Sequence, residues 1–314
     1  MRVLFWGTPA FAVPSLRALL GEGHDVVGVV TQPDRPAGRG RALRASPVKE
    51  VALEEGIPVL QPERARGDDF LAQVRALDPE INVVIAYGQI LKREVLELPP
   101  RGSVNVHASL LPFWRGAAPI HRAIQNGDEY TGITIMRMVE ALDAGPILHQ
   151  VAEPIGAEET TADLSGRLSE IGAEALIEAL AMLELDGIEE VEQDDGIATY
   201  AHKLTREDAH TDWNRSPIEV GRHIRAMDDS PGAWSSWNGD VVKLFRPLPM
   251  PDQAHNAAPG TVLEGSSLEP AEGLQVACGS GVIRIREVQP AGKRRMTAAE
   301  WMRGRGAGAG DVFA

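Results

Sequence analysis

Short, nearly continuous apolar runs, each followed by a helical pattern, constrain this chain more than any other feature. Arg2–Trp6 (RVLFW), Asp25–Thr31 (DVVGVVT) and Ile81–Ala86 (INVVIA) are such runs, and Ser103–His107 and Gly132–Val139 (GITIMRMV) continue the style. A strand with one wet face alternates polar and apolar residues, whereas a strand covered on both faces need not. Helices that return the chain between parallel strands supply that cover. The spacing therefore predicts right-handed βαβ units and a Rossmann-like, mostly parallel α/β sheet. The first such helix has Phe11, Leu16, Leu19 and Leu20 among its apolar positions. A longer helix is predicted over 160–185. Thr160 and Asp163 have capping-box spacing there, and Leu164, Leu168, Ile171, Leu176, Leu180 and Leu183 follow at helical intervals.

The pattern changes at the polar, acidic stretch Asp186–Asp195 (DGIEEVEQDD). With 314 residues, length alone allows about two domains. The boundaries are set at 1–186 for a first domain, 187–206 for a linker and 207–314 for a second domain. Beyond the linker, Ser216-Pro217 opens one short helix. Ala233–Trp237 and Val241–Phe245 flank the hairpin signal Asn238-Gly239-Asp240, and Gly260–Glu264, Gly273–Ala277 and Gly281–Val288 follow. Thr297 and Glu300 form another capping-box pair before a final helix. About five short strands in this space suit a small OB-like β-barrel, which periodicity alone does not separate from a sandwich.

Composition excludes several classes. The single cysteine, Cys278, rules out an internal disulfide and a cysteine-rich zinc site. No stretch reaches the roughly 20 apolar residues of a membrane helix, and MRVLFWGTPA lacks a signal-peptide pattern, so a cytoplasmic setting is expected. Gly7-Thr8-Pro9 holds only one glycine where a dinucleotide-binding turn carries three, which counts against a nicotinamide cofactor. No P-loop, H-E-x-x-H or G-x-S-x-G occurs, and no metal is expected.

The net charge of −14 disfavours nucleic acid unless the basic residues are gathered. They are. Arg35, Arg39, Arg41, Arg44 and Lys49 follow one another without an acid. Arg284–Arg305 holds seven basic residues, including Lys293, Arg294 and Arg295, against Glu287 and Glu300. Two solvated surface stretches are the plainer reading of the same residues.

Chemistry concentrates in Ser103–Pro112 (SVNVHASLLP). On a strand, Asn105 and His107 project to one face and Val104 and Val106 to the other. Two polar side chains near the carboxyl end of a parallel strand lie where open α/β sheets bind ligands. An amide donor and a titratable ring together can hold an oxyanion and pass a proton. A buried pair that satisfies backbone groups is the competing reading. Asp143, in Ala141–Pro146 (ALDAGP), falls after another strand and could orient the histidine, though an Asp near Gly-Pro is also an ordinary turn former.

With the motif Asn105-x-His107-x-Ser109-Leu-Leu-Pro112 and Asp143, the chain resembles the folate-dependent formyltransferases. Gln32–Gly40 (QPDRPAGRG), Ser109–Ile120 (SLLPFWRGAAPI) and Pro290–Lys293 (PAGK) resemble the branch that acts on methionyl-initiator tRNA. The resemblance implies formyl transfer from 10-formyltetrahydrofolate to the α-amine of that methionine, in support of translation initiation. It implies catalytic roles for Asn105, His107 and Asp143 and folate binding at Ser109, Leu110, Leu111 and Pro112. It assigns the basic loop with Arg39 to the tRNA acceptor end, and the second domain to tRNA contact. With the two patches, this makes Arg35, Arg39, Arg41, Lys293, Arg294 and Arg295 the candidate tRNA contacts. Ala108 stands where the family commonly has glycine. Alternatives are another folate-dependent N-formyltransferase, a formyl-folate hydrolase, or a non-catalytic tRNA-binding protein. A monomer without membrane association is expected.

Overall fold

The computed structural model describes residues 1–314 apart from 38–41, 186, 267, 270–272 and 305. The chain divides into two units. One comprises Met1–Pro119, Tyr130–Pro154 and Ser165–Ala201; the other comprises Ile120–Glu129, Ile155–Leu164 and His202–Ala314.

The first unit is built on a seven-stranded sheet. Its order is Ile147–Pro154, Tyr130–Arg137, Ser103–His107, Ile81–Ile85, Arg2–Gly7, Asp25–Val30 and Val59–Leu60. The last five are mutually parallel. Tyr130–Arg137 runs antiparallel to Ser103–His107, and Ile147–Pro154 antiparallel to Tyr130–Arg137. The apolar run at 132–139 thus lies in an antiparallel strand. Cover on both faces makes a run apolar, and that cover does not depend on direction. Ile147–Pro154 escaped the sequence reading because it is an edge strand with several exposed positions and mixed polarity.

Packing follows the side-chain alternation. Leu4, Trp6, Val30 and Val84 cluster with Phe70, Leu71 and Val74 of the helix Asp68–Ala76. Val106 and Ile133 meet Gly172 of the helix Thr161–Glu184 on the other face. Each fully buried large apolar side chain contributes on the order of 2 kcal/mol. The long helix starts as its sequence predicts: Thr160 N–H donates to Asp163 and Asp163 N–H to Thr160 Oγ1.

The stretch expected to be a linker is, up to Ala201, part of the first unit. Val191 bridges Ile147, and Tyr200–Ala201 pairs in parallel with Arg115–Gly116. Its polar sequence gave no sign of this, because the contacts it makes are hydrogen bonds rather than apolar burial.

In the second unit, Trp234–Trp237, Asp240–Met250, Val282–Pro290 and Leu274–Ala277 form an antiparallel sheet in that order, with Met296–Thr297 on Val282–Pro290. The first hairpin turns at Asn238-Gly239, both left-handed (φ 49° and 84°), as a two-residue turn matching strand twist requires. Ile224, Leu244, Val276, Ile283, Ile285, Trp301 and Phe313 belong to its core. The strand expected at 260–264 is reduced to single bridges, Thr261 with Val312 and Val262 with Val276. Ser216 and Glu219 form a reciprocal capping box on Pro217–Met227. The second box is half formed: Thr297 accepts from Glu300 N–H, but the Glu300 carboxylate binds Arg294 instead. Cys278 is fully buried, which pushes its thiol up to about 12.

Candidate functional site

The strand Ser103–His107 ends at the carboxyl edge of the sheet, where a parallel neighbour lies on one side and an antiparallel one on the other. Val106 lies against Gly172, so Asn105 and His107 look away from the long helix. Asn105 is 8% exposed and His107 5%. The Asn105 amide makes no hydrogen bond among the described residues, which leaves two donors and an acceptor for a ligand.

Both ring nitrogens of His107 face oxygen. Nε2 is 3.0 Å from Trp114 O, and because a carbonyl only accepts, Nε2 carries the hydrogen. Nδ1 is 3.7 Å from Asp143 Oδ2, close enough for an ion pair when the ring is protonated. The same Oδ2 accepts the Gly116 N–H at 2.7 Å. Sequence reasoning paired His107 with Asp143, and the structure brings them together.

The backbone around this pair is strained. Trp114 (φ 59°) and Asp143 (φ 51°) are left-handed, a conformation costing about 1 kcal/mol or more for residues other than glycine. Each is held by its neighbours: the Trp114 carbonyl by His107, the Asp143 carboxylate by Gly116. At Gly116 (φ 119°) a Cβ would stand 2.7 Å from Ala201 O, so no other residue brings this N–H to the carboxylate.

Two residues that sequence reasoning missed complete the frame. Gln193 Nε2 donates to Asp143 O at 2.9 Å and Gly145 O at 2.7 Å, while its Oε1 accepts from Arg115 Nε at 3.0 Å. Arg115 Nη2 is 2.8 Å from Asp195 Oδ1, a charge contact off the hydrogen-bonding direction. Only the placement of Arg115 within the SLLPFWRG run hinted at a role; nothing in the spacing of the acidic stretch marked Gln193.

The turn Ser109–Pro112 is largely satisfied by protein. Ser109 Oγ donates to Phe113 O, Thr134 Oγ1 donates to Ser109 O and accepts from Leu111 N–H, and Gln150 donates to Leu111 O. Ser109 and Leu111 are buried, so Leu110 and Pro112 are the side chains that reach solvent. Exposed apolar side chains stand on the loops that follow this strand and its two neighbours: Ile90, Phe113, Val139 and Leu142. No group of three or more His, Cys, Asp or Glu among the described residues is placed to hold a metal ion.

The two basic stretches differ. Arg35–Ala37 and Ala42–Arg44 form a short hairpin with Arg35 directly opposite Arg44, both exposed and without an acidic partner among the described residues. Arg39 and Arg41 lie outside the described residues. Lys49 is occupied, donating to Asp34 and Gln61 at 2.7 Å each. In the other stretch Arg294 pairs with Glu300 and Arg295 with Glu287 and Asp228, while the Lys293 side chain is exposed.

Comparison with known proteins gives consistent results. The formyl transferase model matches residues 1–180 and the formyl transferase C-terminal domain model residues 203–306. The chain is 47% identical over 313 residues to a methionyl-tRNA formyltransferase of Symbiobacterium thermophilum, covering 100% of this chain and 95% of that protein. It is 47% identical over 302 residues to one from Methylococcus capsulatus, covering 96% of each. Among solved structures, HypX from Aquifex aeolicus in complex with tetrahydrofolic acid shares the fold with a TM-score of 0.64 at 19% identity. That match covers 96% of this chain, which spans about half the length of HypX (46%). No helix among the described residues is long and apolar enough to cross a membrane.

Proposed function

The chain belongs to the formyl transferase family, and from that premise we propose that Asn105, His107 and Asp143 perform formyl transfer from 10-formyltetrahydrofolate to the α-amine of methionyl-initiator tRNA. The placement of His107 Nδ1 3.7 Å from Asp143, with an Asn105 amide that makes no hydrogen bond among the described residues, carries the reading. Full-length identity to methionyl-tRNA formyltransferases disfavours sugar- or nucleotide-formylating relatives, formyl-folate hydrolysis and a non-catalytic RNA-binding role.

The site's residues fit the co-substrate. An Asn105 amide without a hydrogen bond among the described residues, together with the solvent-reaching Leu110 and Pro112 of the adjoining turn, offers hydrogen bonds and apolar surface to a flat heterocycle. Of the four turn residues, Leu110 and Pro112 contact it through their side chains, while Ser109 and Leu111 shape the turn. The bound folate supplies an activated formyl carbon whose oxygen gains charge as an amine adds. Asn105 donates to that oxygen. Trp114 O fixes the His107 ring, and the His107–Asp143 pair takes the proton that the attacking ammonium must lose. The new bond from the formyl carbon to the amine is kept while the carbon's bond to the folate nitrogen breaks, and that nitrogen takes up a proton as tetrahydrofolate leaves.

Arg35 of the basic hairpin, together with Arg39 and Arg41 of the same sequence run, holds the tRNA acceptor end through phosphate contacts, and Lys293 adds one from the second unit. Arg294 and Arg295 retain less capacity for this, since acidic partners already meet their charge. Action as a monomer and a cytoplasmic setting belong to the same reading.

Purified protein should transfer formyl from 10-formyltetrahydrofolate to methionyl-initiator tRNA. Asn105→Ala, His107→Ala and Asp143→Ala should each lower turnover by at least about 100-fold with the fold intact. Near-wild-type turnover in any one, with folate still bound, removes that residue from the mechanism.

A further inference from the structure

We propose that Gln193 is a positioning residue for this reaction: its side-chain amide clamps the Asp143 turn and thereby sets the carboxylate against His107. The inference rests on the catalytic role of Asp143 given above. Asp143 is left-handed, and a residue held in a sparsely populated backbone region needs fixed partners on its peptide groups. Gln193 supplies them. One Nε2 group donates to the carbonyls of both Asp143 and Gly145, spanning the turn from its first to its third residue.

The clamp is itself anchored. Gln193 Oε1 accepts from Nε of Arg115, which is 3% exposed, and Asp195 meets the same guanidinium at Nη2. Arg115 lies between the two backbone groups that contact the catalytic pair, the Trp114 carbonyl on His107 and the Gly116 N–H on Asp143. Thr199 closes the frame: its hydroxyl accepts the Trp114 N–H and its carbonyl the Arg115 N–H. The segment 191–201 thus binds both sides of the His107–Asp143 contact with polar groups and contributes no atom to it. Loss of the clamp should let the Asp143 carboxylate drift. A displacement of about 1 Å at reacting groups is enough to slow a reaction on the order of 100-fold.

Two variants and a double-mutant cycle test this. Gln193→Ala removes the clamp; Gln193→Glu keeps the acceptor toward Arg115 but sets a carboxylate oxygen against the two carbonyls. Single-turnover rates at saturating folate and tRNA, with both KM values and a thermal melt, are measured for each variant and for both in an Asp143→Ala background. Both single variants should lower kcat by about 10- to 100-fold with KM values within about twofold of wild type. In the Asp143→Ala background neither should slow the enzyme further, since a residue acting through Asp143 has nothing left to position. Additive losses, or losses in KM alone, would overturn the proposal while leaving the catalytic role of Asp143 standing. A melt lowered in Gln193→Ala but not in Gln193→Glu, with kcat lost only in the former, would show a merely structural contact. Near-wild-type turnover of Asp143→Ala alone would sink the catalytic reading, and the clamp with it.

Discussion

The stretches 35–49 and 284–305 look alike as sequence, yet the fold treats the pair Arg35 and Arg44 of the first and the pair Arg294 and Arg295 of the second in opposite ways. In the first, Arg35 and Arg44 face each other across a hairpin with no acid between them. Like charges directly opposite on paired strands repel, so an anion from outside would stabilise the hairpin. In the second, Arg295 stacks on the Phe245 ring at 3.9 Å and binds Asp228 and Glu287, and Arg294 binds Glu300. Arg303 donates to the Leu268 carbonyl. Much of the second stretch's charge serves the unit's own architecture. A run of basic residues is therefore a count, and the potential it projects depends on which acids the fold brings beside it.

The strongest way to break this contrast is Arg295→Ala. Burial alone would lower the pKa of this guanidinium, but hydrogen bonds to Glu287 and then Asp228 raise it further. Removing it leaves Asp228, 6% exposed, without its cation and Phe245 without its stacking partner. A loss of about 2 kcal/mol is expected, discounted because Arg295 is one-third exposed, and urea unfolding measures it. The salt dependence of tRNA binding should not change. A flatter salt slope at unchanged stability would reverse the assignment.

Replacing both Arg35 and Arg44 with alanine should do the converse. Stability should stay within about 0.5 kcal/mol. The affinity for tRNA should fall about tenfold at low salt, with the slope of log K on log salt flatter by roughly 1.4 to 1.8 if each arginine meets one phosphate. Filter binding across a salt series reads both. A large stability loss at constant slope would mean that the hairpin is only a solvated turn.

Within the second stretch the contrast sharpens to single residues. Lys293→Ala should flatten the slope by at most about 0.9, and Arg294→Ala by less, because Glu300 already meets its charge. Equal changes would show that the Arg294 pair gives way when tRNA binds.

The smallest effect concerns the base of the hairpin. A hydrogen bond from Lys49, then one from Gln61, holds the Asp34 carboxyl below its ordinary value of 3.8. A carboxylate lowered in this way contributes stability that is present above the ordinary value and lost as pH falls through the folded one. Amide protection factors at residues 42–49 should therefore be steady from pH 7 to 5 and fall only in more acid solution. Loosening already between pH 7 and 5 would point to a different tie.

Much of the fold was legible because burial writes itself into composition. The runs at 2–6, 25–31 and 81–86 could only be covered strands, and the capping pairs at Thr160 and Ser216 start their helices where predicted. Asn105 and His107 were legible for the complementary reason, as polar residues at i and i+2 in a strand that is otherwise apolar. Gln193 left no such trace. Its contacts are two backbone carbonyls, a guanidinium and the Met136 sulfur, any of which a different residue could have met in a different fold.

Sequence alone therefore determined the parallel core, the family and the three side chains carrying the proposed chemistry, since hydrophobic periodicity and a dense local motif both act over short spans. Tertiary structure alone decided three things: that 187–201 packs on the first unit, that Arg115 and Gln193 frame Asp143, and that Arg294, Arg295 and Lys49 meet acids rather than solvent alone. Those outcomes depend on hydrogen bonds and ion pairs between residues up to about 80 apart in the chain, such as Arg115 with Gln193 and Asp195. Such contacts are directional and short in range, so a pair exists only once the backbone has delivered both partners to within about 3 Å.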